Sequence, residues 1–403
     1  MKKQQWPQYL VEDLFEVQLG KMLNEEARNN QDVLPYLANF NVQWGRFDFS
    51  RLNKMYFSEK EKEKFSLKKG DLLVCEGGEV GRCAIWREEI EPCFYQKALH
   101  RLRPLGNTIS TEFMLYYLQF ISSGRMLSRL TLESSIAHLT RETLLKVPVV
   151  VPPIAVQKRI VDTLSAWDTA IEKTERLITA KERLLRSYYY RLFVPPQQGA
   201  IGWKRYRANR FLRPRKEVSI PTGEMPLYSL TIEDGVTPKT DRYDREFLVK
   251  DTGAKTYKVV HPGDIVYNPA NLRWGAIARS EVGHKVVVSP IYEVLEVDGD
   301  SVNPDLLTHA LTCPRQIGIF ATKVEGTLIE RMAVKLDTFL LTELVLPIER
   351  SNQDKVAEFL NDAKGETYLL RALRENLRTQ KRGLMRKLLT GEWRVKVTDT
   401  EAA

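Results

Sequence analysis

A stretch of 38 residues occurs twice in this chain without a gap, and that repeat limits the fold more than any other feature. Gln157–Val194 aligns with Gln353–Thr390 at a constant shift of 196 residues. Read at alternating spacings of four and three, the first copy puts Ile160, Leu164, Trp167, Ile171, Thr174, Ile178, Lys181, Leu185, Tyr188 and Leu192 on one stripe. The second copy puts Val356, Leu360, Ala363, Thr367, Leu370, Arg374, Leu377, Lys381, Leu384 and Leu388 there. Eight of the first ten and seven of the second ten are apolar. A stripe with a period near 3.5 is the narrow seam of a coiled coil, not the broad face of a globular helix. Polar residues inside the seam, such as Lys181 and Lys381, fix register at some loss of stability. Val151-Pro152-Pro153 and Leu346-Pro347 stop the preceding strands and open the helices. Val194-Pro195-Pro196 and Thr390-Gly391 end them. Such a helix is about 57 Å long at about 1.5 Å per residue. The expected helix-pair seam and partner surface comprises Ile160, Leu164, Trp167, Ile171, Ile178, Leu185, Val356, Leu360, Leu370, Leu377 and Leu384.

The remaining chain repeats as well. Trp6 recurs as Trp203, Pro35 as Pro226, Gly70-Asp71 as Gly263-Asp264, and Gly81 as Gly275. "TEFMLYYL" from Thr111 matches "PDLLTHAL" from Pro304. Short β-like runs surround Leu72, Val74, Ile85, Ile265 and Val266, and "HKVVVSPIYEVLEV" from His284 predicts a pair of strands. The segments from Glu112 and Pro304 predict short buried helices. The fold class is α+β: two pseudo-twofold-related α+β domains separated by two long antiparallel coiled-coil helices. The boundaries are domain 1 at 1–150, helix 1 at 151–196, domain 2 at 197–346, and helix 2 with the C-terminal tail at 347–403.

Sixty-one Lys and Arg against 52 Asp and Glu give a net charge of +9, which suits a polyanionic partner. Cys75, Cys83, Cys93 and Cys313 form no CxxC pair and have no histidine at ligand spacing, so neither zinc nor a disulfide framework is expected. No apolar core follows the lysines of "MKKQQWPQYL", and the apolar run Val147–Val156 is broken by prolines and too short for a membrane span. A cytoplasmic protein without a membrane partner is expected. Catalytic signatures fail one by one. Asn268-Pro269-Ala270-Asn271 lacks the second proline and the aromatic residue of an amino-methyltransferase motif. Gly253-Ala254-Lys255-Thr256 is no P-loop, and no acid-x-Lys pattern follows Asp305. No metal site or catalytic residue is expected.

What remains is charge and loop chemistry. Trp203–Lys216 carries seven basic residues, no acidic one, and interleaved aromatics. That composition fits phosphate contacts, with a solvated basic helix face as the plainer alternative. Arg371–Lys387 is a second basic stretch, on the second long helix. Loops suited to base reading fall at equivalent places: 41–46, 76–82 and 133–141 in domain 1, and 237–243, 268–274 and 325–331 in domain 2. Arginine forks to guanine, and asparagine pairs with adenine. The candidate DNA-binding residues are Arg46, Arg82, His138, Lys204, Arg205, Arg207, Arg210, Lys239, Arg242, Tyr243, Asn268, Asn271, Arg273, Trp274 and Arg331.

"VPPIAVQKRIVDTLSAWDTAIEKTERLITAKERLLRSYYYRLF", the closing "KRGLMRKLLTGEWRV" and the loop "KKGDLLVCEGGEVGR" resemble the specificity subunits of type I restriction-modification systems. The likeness spans nearly the whole chain. It departs at Ala155-Val156-Gln157 and Ser351-Asn352-Gln353, where a Glu-Gln pair is usual and only the glutamine is kept. The resemblance implies a non-catalytic reader of double-stranded DNA. Each target recognition domain would read one half of a bipartite site, and the helix pair would set the spacer. Two modification subunits carrying S-adenosylmethionine would dock on it, joined by motor-nuclease restriction subunits using ATP and Mg. This chain itself would bind no cofactor. The competing reading is a stand-alone coiled-coil DNA-binding scaffold without a methyltransferase partner.

Overall fold

The computed structural model describes residues 6–29, 31–124, 127, 138–193, 202–239, 256–326 and 332–395. The chain forms two compact units, Met1–Thr174 with Leu373–Ala403, and Glu175–Ala372. Each unit holds one α+β domain and a part of both long helices.

In the first unit, four antiparallel strands stand in the order Phe15–Leu19, Leu99–Pro104, Leu72–Cys75, Cys83–Ile85. Successive residues of a strand face opposite sides. Leu72 and Val74 therefore enter one core, and Leu73 and Cys75 another. Both faces are covered, so the strand "LLVC" is apolar throughout instead of alternating. The helix Thr111–Ser123 packs into the first core. A smaller sheet of Asn53–Tyr56, Val33–Leu37 and Phe94–Tyr95 encloses the second.

The second unit repeats the plan with Leu212–Pro214, Glu293–Val297, Ile265–Tyr267 and Ile277–Arg279. Its helix Pro304–Thr312 takes the place of Thr111–Ser123. The segment from His284 does form two strands, Val286–Val288 and Glu293–Val297, but they belong to different sheets. A turn at Ser289-Pro290, closed by Tyr292 N donating to Ser289 O at 3.1 Å, redirects the chain between them.

The long helices are Ile154–Phe193 and Arg350–Leu389, 40 residues each. Both begin three residues before the gapless repeat, the first directly after Pro153 and the second after a two-residue bend beyond Pro347. Within each unit they run antiparallel. In the first unit Asp168 meets Lys381 at 2.6 Å, and Ile160 and Leu164 share a core with Met385 and Leu388. In the second, Glu182 meets Arg371 at 2.5 Å, and the rings of Tyr188 and Phe359 lie 4.8 Å apart. All twenty seam positions are buried or half-buried. Past Leu389, Gly391 takes φ +70 and packs against the Trp6 ring, so the "LLTGEWR" stop closes the first unit.

Two contacts fix each domain to the helices. The first is a buried glutamine. Gln157 Oε1 accepts from Ser110 N at 2.9 Å, and its Nε2 donates to Thr108 O and Pro152 O, both at 2.8 Å. Gln353 does the same in the second unit, accepting from Asn303 N at 2.8 Å and donating to Pro347 O at 2.9 Å. Ser110 and Asn303 are the N-caps of the equivalent short helices. The glutamine kept in each copy is therefore occupied inside the chain, not displayed to a partner subunit.

The second contact uses equivalent positions with different chemistry, Tyr116 and His309. Tyr116 OH donates to Asp168 at 2.8 Å, and buried Lys381 lies over the Tyr116 ring, 5.1 Å from its centroid. Burial, with Asp168 beside it, pushes the Tyr116 phenol up, so the proton stays on the donor. His309 Nε2 lies 2.8 Å from Asn361 Oδ1, and Tyr189 OH lies 2.9 Å from His309 Nδ1. An amide oxygen only accepts, so Nε2 carries the proton and Nδ1 accepts from the tyrosine. Burial pushes the His309 imidazole below its usual 6.5, with Asn361 opposing in part.

Replacing Gln157 or Gln353 by leucine is expected to destabilise its own unit by roughly 2 kcal/mol or more, because backbone groups lose buried partners; urea unfolding of the variants measures this. A neutral native imidazole stabilises the second unit above about pH 6.5, and that contribution is lost as pH falls. The pH dependence of unfolding should therefore flatten in His309→Gln.

Candidate nucleic-acid interface

The loops are aimed by a turn that both units share. Gly70 and Gly263 take φ +90 and +86, a conformation that favours glycine. In the next residue a carboxylate closes the turn: Lys68 N donates to Asp71 Oδ2 at 2.8 Å, and His261 N to Asp264 Oδ2 at 2.9 Å. Each carboxylate is buried, and each is gripped by a two-pronged guanidinium. Arg103 holds Asp71 at 2.8 Å through both nitrogens, and Arg215 holds Asp264 at 2.6 and 2.9 Å. Such forks fix geometry as well as charge. The strand after each turn delivers a loop, 76–82 in one unit and 268–276 in the other.

In the first unit, Arg46 stands exposed beside Gly45 in the tight turn between Val42–Gln43 and Arg46–Phe47. Arg82 is turned inward. Its Nη2 donates to Asn39 O and Oδ1 at 3.0 Å, which ties loop 76–82 to the neighbouring 3-10 turn. It holds the loop instead of facing outward. His138 is exposed and lies against Gly77 of the same loop. Phe40, 40% exposed under the Arg51 guanidinium, is a further surface aromatic that residue type alone did not single out.

In the second unit, Trp203–Lys216 is no helix. It folds as the strand Trp203–Arg207, a 3-10 turn and the strand Leu212–Pro214. Most of its cations are exposed, but several already have partners. Arg215 is spent on Asp264, Arg205 pairs with Glu343 at 3.4 Å, and Arg210 and Lys204 pack on the Tyr206 ring. Arg207 is exposed, and with Arg205, Arg315 and Lys323 it borders a cavity of about 360 Å³. Arg315 and Lys323 lie more than a hundred residues from Arg207, which is why a search for local charge runs misses them.

The loop 268–276 is built to hold its shape. Asn268 Oδ1 accepts from Ala270 N at 3.0 Å and Asn271 N at 3.4 Å, so this side chain shapes the turn. Asn271 is exposed and, with Lys239, lines a cleft of about 630 Å³ that also takes in Tyr228, Tyr257 and Tyr292. Those tyrosines come from separate strands and loops, and no spacing in the sequence links them. Arg273 is half-buried and stacks 4.0 Å from the centroid of the Trp274 ring, which is 60% exposed. Arg242, Tyr243 and Arg331 lie outside the described residues.

All four cysteines are buried free thiols, and burial pushes Cys75 up to about 11 and Cys93 up to about 12. They stay protonated and unreactive at neutral pH. Among the described residues, no group of three or more His, Cys, Asp or Glu is placed to hold a metal ion. No described helix is long and apolar enough to cross a membrane. The surface chemistry is thus guanidinium, amide and aromatic groups on loops of a rigid sheet, which is the chemistry of groove contacts.

Residues 3–182 match the family described as the type I restriction modification DNA specificity domain. Over its whole length the chain is similar in fold to the S subunit of the type I restriction-modification system from M. genitalium. That match has 15% identity and a TM-score of 0.57, and covers 99% of this chain and 98% of that one. It is similar also to a chain from a structure of complex assembly and conformational transition in the type I R-M system. There the identity is 14% and the TM-score 0.61, with 96% of this chain and 98% of that one covered. Residues 3–182 thus carry the type I restriction modification DNA specificity domain, and the whole chain shares the fold of the type I restriction-modification S subunit from M. genitalium.

Proposed function

We propose that each unit reads one half of a bipartite target in double-stranded DNA, and that the helix pair sets the unread spacer between the halves. The observation that carries this reading is one scaffold used twice with different loop chemistry. The Gly-Asp turn, the four-stranded sheet and the glutamine contact recur. The loops they hold are "EGGEVGR" in one unit and "NPANLRW" in the other. Two readers of like build and unlike surface suit two different half-sites on one continuous duplex.

A 40-residue α-helix extends about 60 Å, and a pair of them converts protein length into base-pair spacing. Exposed cations, Arg46, Lys204, Arg207 and Lys239 among them, supply sequence-independent attraction to phosphates. Asn271 and Trp274 supply contacts on the base side. In this reading two modification subunits dock on the helix pair and methylate adenine N6 with S-adenosylmethionine. Restriction subunits, driven by ATP and Mg, join them. The proposed domain boundaries are 1–150, 151–196, 197–346 and 347–403, with the seam as the helix-pair and partner surface.

Exchanging residues 204–346 for the equivalent domain of a relative should change one half of the methylated target and leave the other half and the spacer as they were. Sequencing of modified bases reads the outcome. A change in both halves would refute modular reading.

A further inference from the structure

The second unit carries an apolar rim that hydrogen bonding to base edges does not account for. Trp274 is 60% exposed, Ile232 57% and Ile291 64%. Each stands next to, or a few residues along the chain from, a residue that lines the cleft described above. Ile232 follows Thr231, which lines it, and Ile291 precedes Tyr292, which also lines it. A Cβ on Gly275 would lie 3.9 Å from Ile232 Cγ2, so the hairpin tip rests against the turn that bears Trp274. That turn is firmly held. Leu272 is fully buried, Asn268 caps the turn, and Gly275 ends it at φ +95. Arg273 covers the indole from one side at 4.0 Å. A large ring kept in water on a fixed support is a contact surface for an apolar or π partner.

We infer that Trp274, with Ile232 beside it, is a wedge that stacks against a base step of the second half-site, while Asn271 and Lys239 in the adjoining cleft meet base and backbone edges. The inference rests on the DNA-reading function proposed above and assigns part of it to stacking. Apolar side chains inserted at a base step unstack it and bend the duplex. Base–aromatic stacking is tolerant of sequence, because every base has a π face. The neighbouring cleft, which Asn271 of the same turn lines, offers amide, ammonium and phenol groups, which suits a nucleic acid better than an apolar protein surface. The first unit has Val80 before Gly81 where Trp274 precedes Gly275. The distortion therefore belongs to one half-site.

The test uses the assembled methyltransferase, this chain with its modification subunits, and a duplex carrying the mapped bipartite target. 2-Aminopurine replaces successive bases of the second half. The wild-type complex should raise emission at one step. Trp274→Ala should abolish that rise and weaken binding by roughly 10- to 100-fold, with first-half discrimination unchanged; Trp274→Phe should keep most of both. Equal emission and affinity in Trp274→Ala would overturn the wedge. So would loss of the modification subunits from the Trp274→Ala complex, which would make the ring a protein contact. If the wild-type complex itself shows no preference for the bipartite duplex, the DNA-reading function fails along with the wedge.

Discussion

Each α+β domain meets its long helix through one buried side-chain amide, and the geometry of the unit follows from it. Gln157 and Gln353 each satisfy an N-cap backbone N–H of a short helix and a proline carbonyl before the long helix. Both groups would otherwise be buried without partners. An amide has a donor and an acceptor about two ångströms apart, so it fixes position in a way that an apolar side chain does not. A slip of one residue along the helix would carry the glutamine off its face and leave several polar groups unpaired. Helix register, domain orientation and loop direction within a unit are therefore set together.

Around that common contact the two units have exchanged chemistry without exchanging architecture. The turn aspartate takes its guanidinium from Arg103 on the adjacent strand Leu99–Pro104 in the first unit, and in the second from Arg215, just past the strand Leu212–Pro214, which lies one strand further across the sheet. Tyr116 gives way to His309, and the helix residues that answer them change accordingly. Packing and hydrogen-bond satisfaction constrain the scaffold, whereas solvent-exposed loops are free to diverge. The loops carry Val80-Gly81-Arg82 in one unit and Arg273-Trp274-Gly275 in the other.

The helices were the most legible part of the chain, because an apolar stripe that keeps a 3.5-residue period across 38 aligned positions suits a helix-pair seam and neither a strand nor a loop. The Gly-Asp turns were legible for a similar reason, since a glycine at positive φ followed by a turn-closing carboxylate recurs in order. Side-chain roles were not. Arg82 and Asn268 look like base readers by type, yet one braces a loop and the other caps a turn. Trp203–Lys216 reads as a basic helix face, yet it folds as strands, and Glu343 and Asp264 claim part of its charge. The cleft tyrosines come together only through tertiary folding. Composition identifies which groups can bind a nucleic acid; three-dimensional bonding decides which of them are left to do so.

The most direct measurement is a base-modification map of the host genome with and without this gene. A bipartite N6-methyladenine motif with a fixed spacer should be present and should disappear on deletion. A methylation pattern that keeps every such motif after deletion, in cells whose modification subunits are expressed, would contradict the DNA-reading function.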